Sequence, residues 1–287
     1  MGQKRDYLIL SIKKILLGKG MACPNCGSLK SKSVSRKYLV TSLKRCHSCQ
    51  LQFRTPTTSS SENQAFYQKQ YSQGITTEYP DQETLKDLKS VHFKGHEKDY
   101  QRFIDLIQAL GGKPGMRLFD FGCSWGYGSW QFSQAGFDVE SFEVSSPRAK
   151  YGRDNFNLTI HESQENLPDN FDFFFSSHVL EHVPKIKDSV QFGLDRLKPG
   201  GYFIAITPNG SHQYKNANPT HWQKLWGMVH PNFLDESFYQ NLTKEKDSYF
   251  ASNPMDLEKL SNWANSKKSG IHLEPLNDEE LLFVCRK

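Results

Sequence analysis

The amino-acid sequence predicts an α/β protein whose larger part is a doubly wound sheet, preceded by a small cysteine-rich module. Apolar segments of strand length alternate with helix-compatible segments over most of the chain, the pattern that gives such a sheet. Two C-x-x-C pairs lie within the first 50 residues. The length of 287 residues is enough for two domains. Strands are expected at Arg117–Phe121, 137–143, 158–160 and 171–175, within LKPGGYFIAITPN, and at 281–284.

The first of these strands ends in an acidic residue and runs into a glycine-rich turn, LFDFGCSWGYG. A helix over 127–135 would follow, and its free N–H groups favour an anionic group of a ligand. The spacing does not fit the G-x-G-x-x-G pattern of dinucleotide binding, because Ser124 stands where the second glycine would be. What remains is D-x-G-x-S-x-G, formed by Asp120, Gly122, Ser124 and Gly126. This turn is a candidate nucleoside-cofactor site.

The second strand also ends in a carboxylate, Glu143, which lies 21 residues after Gly122. In a doubly wound sheet this position holds the acid that accepts hydrogen bonds from ribose hydroxyls. Glu143 is therefore the predicted ribose ligand. A helix over 147–156 would lead to the third strand.

These segments together resemble the motifs of the class I S-adenosylmethionine (SAM) methyltransferases, with "FD" opening the fourth strand, "LEHV" after it and "LKPGG" before the fifth. The resemblance covers about residues 99–287 and implies a Rossmann-like core that binds SAM. It implies that Asp120, Gly122 and Gly126 surround the methionine part of SAM, and that Ser163 or Gln164 lies near the adenine. The cofactor residues expected on this basis are Asp120, Gly122, Ser124, Gly126, Glu143, Ser163, Gln164 and Ser177.

Histidine is the side chain best suited to remove a proton from a hydroxyl or carbon acceptor near neutral pH. His178 follows the fourth strand, and His230 lies in a long segment, 208–265, that is rich in aromatic residues and is expected to cover the acceptor. These two residues are the candidate catalytic bases. His182, within "LEHV", is expected instead to hold neighbouring backbone or Glu181.

Cys23, Cys26, Cys46 and Cys49 form two C-x-x-C knuckles separated by 19 residues. Four thiolates in this spacing bind one tetrahedral Zn²⁺ ion when the intervening segment folds as a hairpin, so a zinc-ribbon or zinc-knuckle module is predicted. A disulfide or redox function is the alternative. The sequence shows no apolar signal segment at its start, which favours a reducing cytoplasm and hence zinc.

Basic charge is concentrated at the N-terminus: residues 1–57 hold 12 lysine and arginine residues and one aspartate, whereas the whole chain has a net charge of +5. Such a module attracts phosphates, nucleic acid or an anionic membrane. Residues 7–17 have the apolar spacing of an amphipathic helix that is too short to span a bilayer. Packing on the protein is the first expectation for its apolar face, and contact with a membrane surface is the second.

Four regions follow: a basic amphipathic helix at 1–20, the zinc module at 21–57, a linker and helical bridge at 58–98, and the methyltransferase domain at 99–287. Met21 is an alternative translation start. The preferred function is methyl transfer to a small molecule or a sugar or glycan, because the arrangement resembles bacterial methyltransferases of surface-polysaccharide and natural-product pathways. The alternatives are an RNA methyltransferase that uses the basic module to bind RNA, and a zinc adaptor that binds SAM without catalysis.

Overall fold

The structure is a computed structural model that describes residues 2–58, 62, 79–244, 246–266 and 269–287. Most of the predicted linker, with Phe66, Tyr67 and Tyr71, lies outside the described residues. The described part of the chain contains an eight-stranded sheet and a four-stranded sheet.

The eight-stranded sheet has the order β11-β10-β12-β8-β7-β4-β5-β6. Its strands are β4 Arg117–Phe121, β5 Asp138–Phe142, β6 Thr159–His161, β7 Phe171–Ser177, β8 Leu197–Pro208, β10 Ser248–Ser252, β11 Ile271–Leu273 and β12 Glu280–Arg286. Strands β4 to β8 pair in parallel, and β12 runs antiparallel to both β8 and β10. The predicted doubly wound, Rossmann-like α/β fold is confirmed, with a mixed sheet.

Helices cover both faces of this sheet. The helices of the described residues are α1 Gly2–Leu16, α2 Gln82–Ser90, α3 Gln101–Ala109, α4 Tyr127–Gln134, α5 Ser146–Phe156, α6 Ile186–Arg196, α7 His212–Ala217, α8 Pro219–Lys224, α9 Glu236–Leu242 and α10 Leu257–Asn265. Helices α3 and α10 pack on one face through Phe103, Leu106 and Trp263, and α6 packs on the other through Val190 and Leu194. Burial on both faces explains why β7, FDFFFSS, is almost continuously apolar.

The four-stranded sheet belongs to the cysteine-rich module, with one strand from elsewhere in the chain. Strands β1 Ser31–Lys37, β2 Thr41–Cys46 and β3 Gln52–Thr55 form an antiparallel meander, and β3 pairs with β9 Asn232–Phe233. Strand β9 lies in the long segment that follows β8. The cysteine-rich module is thus joined to the core by a shared sheet.

Helix α1 packs on the module with its polar side. Tyr7 bonds to Thr41 through their hydroxyls at 3.2 Å, Ser11 is buried, and Lys14 Nζ donates to Thr57 O at 2.8 Å. Apolar residues of the helix face solvent instead, and Leu16 is 81% exposed. The expectation that the apolar face packs on the protein is therefore wrong for the described part of the chain. No helix among the described residues has both the length and the apolar character needed to cross a membrane.

Candidate functional site

The glycine-rich turn lies between the end of β4 and the start of α4. Gly122 has a φ of 85°, and a Cβ there would lie 2.3 Å from Cγ2 of Val179. Gly126 has a φ of 83°, and its Cβ would lie 2.7 Å from Cδ1 of Leu158. Both positions therefore require glycine because of backbone conformation and close packing. Val179, after β7, contacts the turn directly.

Glu143 lies beside this turn, just beyond the end of β5. Its carboxylate is buried at 4% exposure and accepts hydrogen bonds from the backbone N–H of Ser124 at 3.0 Å and of Ser145 at 2.8 Å. Burial raises the pKa of Glu143, while these amides and Arg148 oppose the rise. An ionised carboxylate has about four acceptor sites. Within the described residues, the amides of Ser124 and Ser145 occupy two of these sites, so the carboxylate keeps acceptor capacity for hydroxyl groups of a ligand.

Asp120, the other predicted acid, is buried within β4. Its Oδ2 accepts a hydrogen bond from Ser129 Oγ at 2.6 Å, and Ser129 accepts one from Ser141 Oγ at 2.9 Å. Burial raises the pKa of Asp120 to about 7, with a smaller contribution from the charge of Glu143. Asp120 therefore holds the start of α4 to the sheet through Ser129, in addition to any contact with a cofactor.

Arg148, which the sequence reasoning missed, is buried next to these acids. It lies in the first turn of α5 and donates from Nη1 to Ser124 Oγ. Its charge lowers the pKa of Glu143 against the effect of burial. The signal in the sequence was an arginine five residues after a predicted ligand acid. Its burial in the structure indicates charged or polar partners, because arginine is rarely buried without them.

The remaining predicted cofactor residues lie at the same edge of the sheet. Ser163 and Gln164 are exposed in the loop after β6, where Ser163 Oγ accepts a hydrogen bond from the N–H of Glu165 at 3.1 Å. Ser177 is the last residue of β7 and is half-buried. All eight predicted positions thus lie at or just beyond the carboxyl ends of β4, β5, β6 and β7, the edge at which open α/β sheets bind ligands.

His178 lies between two carboxylates. Its Nε2 is 3.0 Å from Glu280 Oε1, and its Nδ1 is 3.4 Å from Glu181 Oε1. Although desolvation opposes the imidazolium, Glu181 and Glu280 raise the pKa of His178 to about 10. These two carboxylates thus favour the imidazolium form of His178.

His182 and His230 form a pair on the other side of Glu181. His182 Nδ1 is 2.9 Å from the carbonyl oxygen of Val229, as expected for a residue that holds backbone, and burial lowers its pKa. His230 Nδ1 is 2.7 Å from the carbonyl oxygen of Leu225, and the two rings are 4.9 Å apart. The two predicted catalytic histidines, His178 and His230, thus both lie near Glu181.

The four predicted metal-binding cysteines meet at one point. Cys23 Sγ is 3.6 Å from Cys49 Sγ, Cys26 Sγ is 3.5 Å from Cys46 Sγ, and all four sulfur atoms lie within 4.8 Å of one another. Zn–S bonds of about 2.3 Å in a tetrahedron place two sulfur atoms roughly 3.8 Å apart. The donor set and its spacing therefore fit a zinc ion. Cys285, on β12, lies outside this group.

Several basic residues of the module face the segment after β8 instead of solvent. Arg45 pairs with the buried Asp235, and Arg54, 2% exposed, donates to the carbonyl oxygens of Gly227 and Met228 at 3.1 Å. The aromatic residues of that segment are buried against β2. This apolar cluster consists of Leu43, Tyr214, Trp222, Trp226 and Phe233. The aromatic residues expected to cover the acceptor thus form a packed core.

The chain matches a protein family described as a methyltransferase domain over residues 95–247. The chain is 33% identical over 122 residues to the cyclopropane-fatty-acyl-phospholipid synthase of Escherichia coli, a match that covers 40% of this chain and 32% of that protein. It is 34% identical over 119 residues to the tRNA U34 carboxymethyltransferase of Trichlorobacter lovleyi, covering 38% and 36% respectively. It is 27% identical over 124 residues to the ubiquinone biosynthesis O-methyltransferase of Alkalilimnicola ehrlichii, covering 40% and 50%. The chain thus spans between a third and half of the length of these relatives.

Among solved structures, the plantazolicin methyltransferase BpumL, in complex with a pentazolic desmethylPZN analogue and S-adenosylhomocysteine (SAH), is similar to this chain. The TM-score is 0.52 at 11% sequence identity, and the match covers 78% of this chain and 95% of that one. At this identity the likeness shows a shared fold.

Proposed function

Because this chain belongs to the methyltransferase domain family, whose match covers more than half of its length, we propose that it transfers a methyl group from SAM to a small-molecule or glycan acceptor. The observation that carries the proposal is the arrangement of Glu143. Backbone amides of Ser124 and Ser145 hold its buried carboxylate at the end of β5, and its remaining acceptor capacity would serve the ribose hydroxyls. The glycine-rich turn beside it would hold the methionine part of SAM.

Eight residues line this cofactor site in our proposal: Asp120, Gly122, Ser124, Gly126, Glu143, Ser163, Gln164 and Ser177. The reaction is an in-line displacement at the methyl carbon. The acceptor atom forms a bond to that carbon as the C–S bond breaks, and the electron pair of that bond stays on sulfur in SAH. The sulfonium is already electrophilic, so the protein mainly aligns the reactants and excludes water.

A small or glycan acceptor is supported by the charges of the cysteine-rich module. Arg45 and Arg54 are turned toward the segment after β8, so these two cations are withdrawn from any surface that would bind an RNA backbone. RNA remains the second candidate, because one relative is a tRNA carboxymethyltransferase and because Lys32 and Arg36 of β1 are exposed. If RNA is the acceptor, the affinity of the chain for RNA should fall steeply as the salt concentration rises, because binding releases counterions from the RNA backbone.

Zinc at Cys23, Cys26, Cys46 and Cys49 is part of the proposal, and its support is the sulfur spacing described above. The ion would fix the two knuckles and thereby the meander of β1 to β3. Since β3 pairs with β9, zinc would also stabilise the segment that follows β8. No catalytic step needs this ion.

Contact with a membrane surface through residues 1–20 is supported by the outward apolar face of α1. Ile9, Ile12 and Leu16 are 54%, 45% and 81% exposed, and Lys13 in the last turn is exposed beside them. An apolar face flanked by lysine is typical of helices that lie on anionic lipid. Such contact would suit a lipid-linked acceptor. A cytoplasmic location fits the proposed thiolate site, because thiols stay reduced there.

The proposal is tested by supplying methyl-labelled SAM to the purified full chain with separated fractions of host extract: small metabolites, glycans, lipids and RNA. Label in the metabolite or glycan fraction, with one SAH formed per methyl transferred, is the expected result. Label only in RNA would replace the preferred acceptor with the second candidate. SAM binding without label in any fraction would favour the non-catalytic adaptor.

A further inference from the structure

Glu181, His182 and His230 form a compact group that the methyl transfer described above does not use. One ligand atom from each residue lies within 4.8 Å of the others. Glu181 and His182 follow β7, whereas His230 precedes β9, so two segments far apart in the sequence supply the group. We refer to these three residues as the Glu181 cluster.

The backbone fixes these two segments against each other. The N–H of Asn232 donates to the carbonyl oxygen of Glu181 at 3.2 Å, and Asn232 Nδ2 donates to the carbonyl oxygen of Val183 at 2.8 Å. Strand β9, which begins at Asn232, is in turn held by β3. The cluster is therefore positioned by the fold and not by flexible side chains alone.

Both histidine rings are oriented in the way that metal ligands are. A carbonyl oxygen only accepts hydrogen bonds, so the contacts of His182 Nδ1 with Val229 O and of His230 Nδ1 with Leu225 O place the proton on Nδ1 in each ring. In the neutral ring the lone pair is then on Nε2. Metal-binding histidines commonly have one nitrogen fixed in this way by a backbone carbonyl.

Glu181 supplies a second, independent observation. Its side chain is fully buried, and within the described part of the chain neither carboxylate oxygen has a hydrogen-bond partner. His178 Nδ1 lies 3.4 Å and His182 Nε2 lies 3.8 Å from Glu181 Oε1. The imidazole of His178 balances the charge of Glu181, and a metal ion would add direct coordination of the buried carboxylate oxygens.

From the imidazole and carboxylate donors of the Glu181 cluster, we propose that the cluster binds one divalent first-row transition-metal ion. Two imidazoles and one carboxylate suit Zn²⁺, Mn²⁺, Fe²⁺ or Co²⁺, whereas Mg²⁺ and Ca²⁺ prefer oxygen ligands. Bonds of about 2.0–2.2 Å to one ion separate its ligand atoms by roughly 3–4 Å. Ligand atoms that lie up to 4.8 Å apart therefore need to approach one another by about 1–2 Å to hold the ion.

Three protein ligands leave at least one coordination position open for water or for an oxygen atom of another molecule. A small cleft between the cysteine-rich module and the core reaches His182 and is lined also by Pro24, Arg54, Pro184 and Asn232. Val179, two residues before Glu181, contacts Gly122 of the cofactor turn. The ion would thus lie between that turn and the cleft. The site itself depends neither on methyl transfer nor on zinc at the cysteines.

The test is the number of Zn²⁺ ions per chain, counted by native mass spectrometry after dialysis of the full chain against one fixed free zinc concentration. His230→Gln and His182→Gln should each carry one ion fewer than the parent. His272→Gln is the matched control, because His272 bonds to a carboxylate oxygen of Glu274 at 2.7 Å but lies on β11 at the far edge of the sheet. It should keep the parental number.

Two ions in the parent and one in His230→Gln are expected if the cysteine site is also filled. One ion in the parent and none in His230→Gln would still support the Glu181 cluster while removing the cysteine site. An unchanged ion number in His230→Gln, with the parental near-ultraviolet circular dichroism, would overturn the proposal. His230 is only partly buried, so His230→Gln decides the question alone if His182→Gln does not fold.

Discussion

Replacing Glu143 by glutamine changes the proposed ribose site by one oxygen atom. In the parent, the two carboxylate oxygens accept hydrogen bonds from the N–H groups of Ser124 and Ser145 at 3.0 and 2.8 Å. Glu143→Gln keeps one oxygen and replaces the other by an NH₂ group. That NH₂ group would face one of the two backbone N–H donors, so a repulsive contact replaces a hydrogen bond there.

The expected loss of affinity follows from the acceptor sites. Two ribose hydroxyls bonded to a carboxylate contribute about 1.5–3 kcal/mol each. The glutamine side chain would retain one neutral acceptor, so we expect binding to weaken by about 2–3 kcal/mol, or roughly 30- to 150-fold in Kd. The conformation of the turn should change little, because Gly122 N and Cys123 N still donate to the carbonyl oxygen of Phe142.

Isothermal titration with SAH measures this loss without turnover. The matched control is Glu140→Gln, three residues earlier at β5, where Glu140 pairs with Arg117 and His161 and not with the turn. Glu140→Gln should bind SAH with the parental affinity. A folded Glu143→Gln variant whose Kd stays within about threefold of the parent, a difference of less than roughly 0.7 kcal/mol, would refute the assignment of Glu143 to the ribose.

Three further variants test other parts of the account. Asp120 has a pKa of about 7 in the folded chain, whereas the usual value for aspartate is near 4. Between about pH 4 and 7 the folded state therefore binds one proton that the unfolded state has lost. The free energy of unfolding of the parent should fall by up to roughly 4 kcal/mol as pH rises through this window. Urea unfolding of Asp120→Asn should lack this decline, and an equal pH dependence in both proteins would contradict the raised pKa. Cys46→Ser should lose the zinc of the cysteine site and have a lower melting temperature than the parent. Cys285→Ser should retain the metal, because Cys285 is buried outside that site. Elemental analysis of the zinc content of both variants tests this prediction. Leu16→Asp should reduce co-sedimentation with phosphatidylserine vesicles at least about fivefold, because it puts a charge on the outward face of α1. The control is Leu39→Asp, which should have no effect because Leu39 is 96% exposed outside the helix. Equal sedimentation of the two variants would count against a membrane contact of α1.

The positions of strands β4 to β8 along the sequence and that of the glycine-rich turn could be predicted because they depend on local patterns. Apolar runs bounded by turn signals give buried parallel strands, and the strand bounds differ from the expected ones by only a few residues. The final strand, β12, extends from Glu280 to Arg286 around the predicted 281–284. The meeting of the four cysteines also followed from local spacing.

Features that depend on distant contacts could not be read in advance. The pairing of β3 with β9 joins residues about 180 positions apart, and its two-residue length leaves no periodic signal. The apolar face of α1 turns outward because Tyr7 and Lys14 find partners on the module. The contact of His178 with Glu280, 102 positions later in the sequence, leaves no local signal either, and it favours the imidazolium form of His178.

Transfer of a labelled methyl group is the measurement that tests the central claim most directly. The full chain and Glu143→Gln would be incubated in parallel with methyl-labelled SAM and a glycan and small-metabolite extract, and labelled product and SAH would be quantified. The account predicts equal amounts of labelled product and SAH from the parent. It also predicts a lower rate of methyl transfer in Glu143→Gln than in the parent when the SAM concentration is below the Kd for SAM. Absence of labelled product in every extract fraction from a parent protein that is saturated with SAM would contradict it.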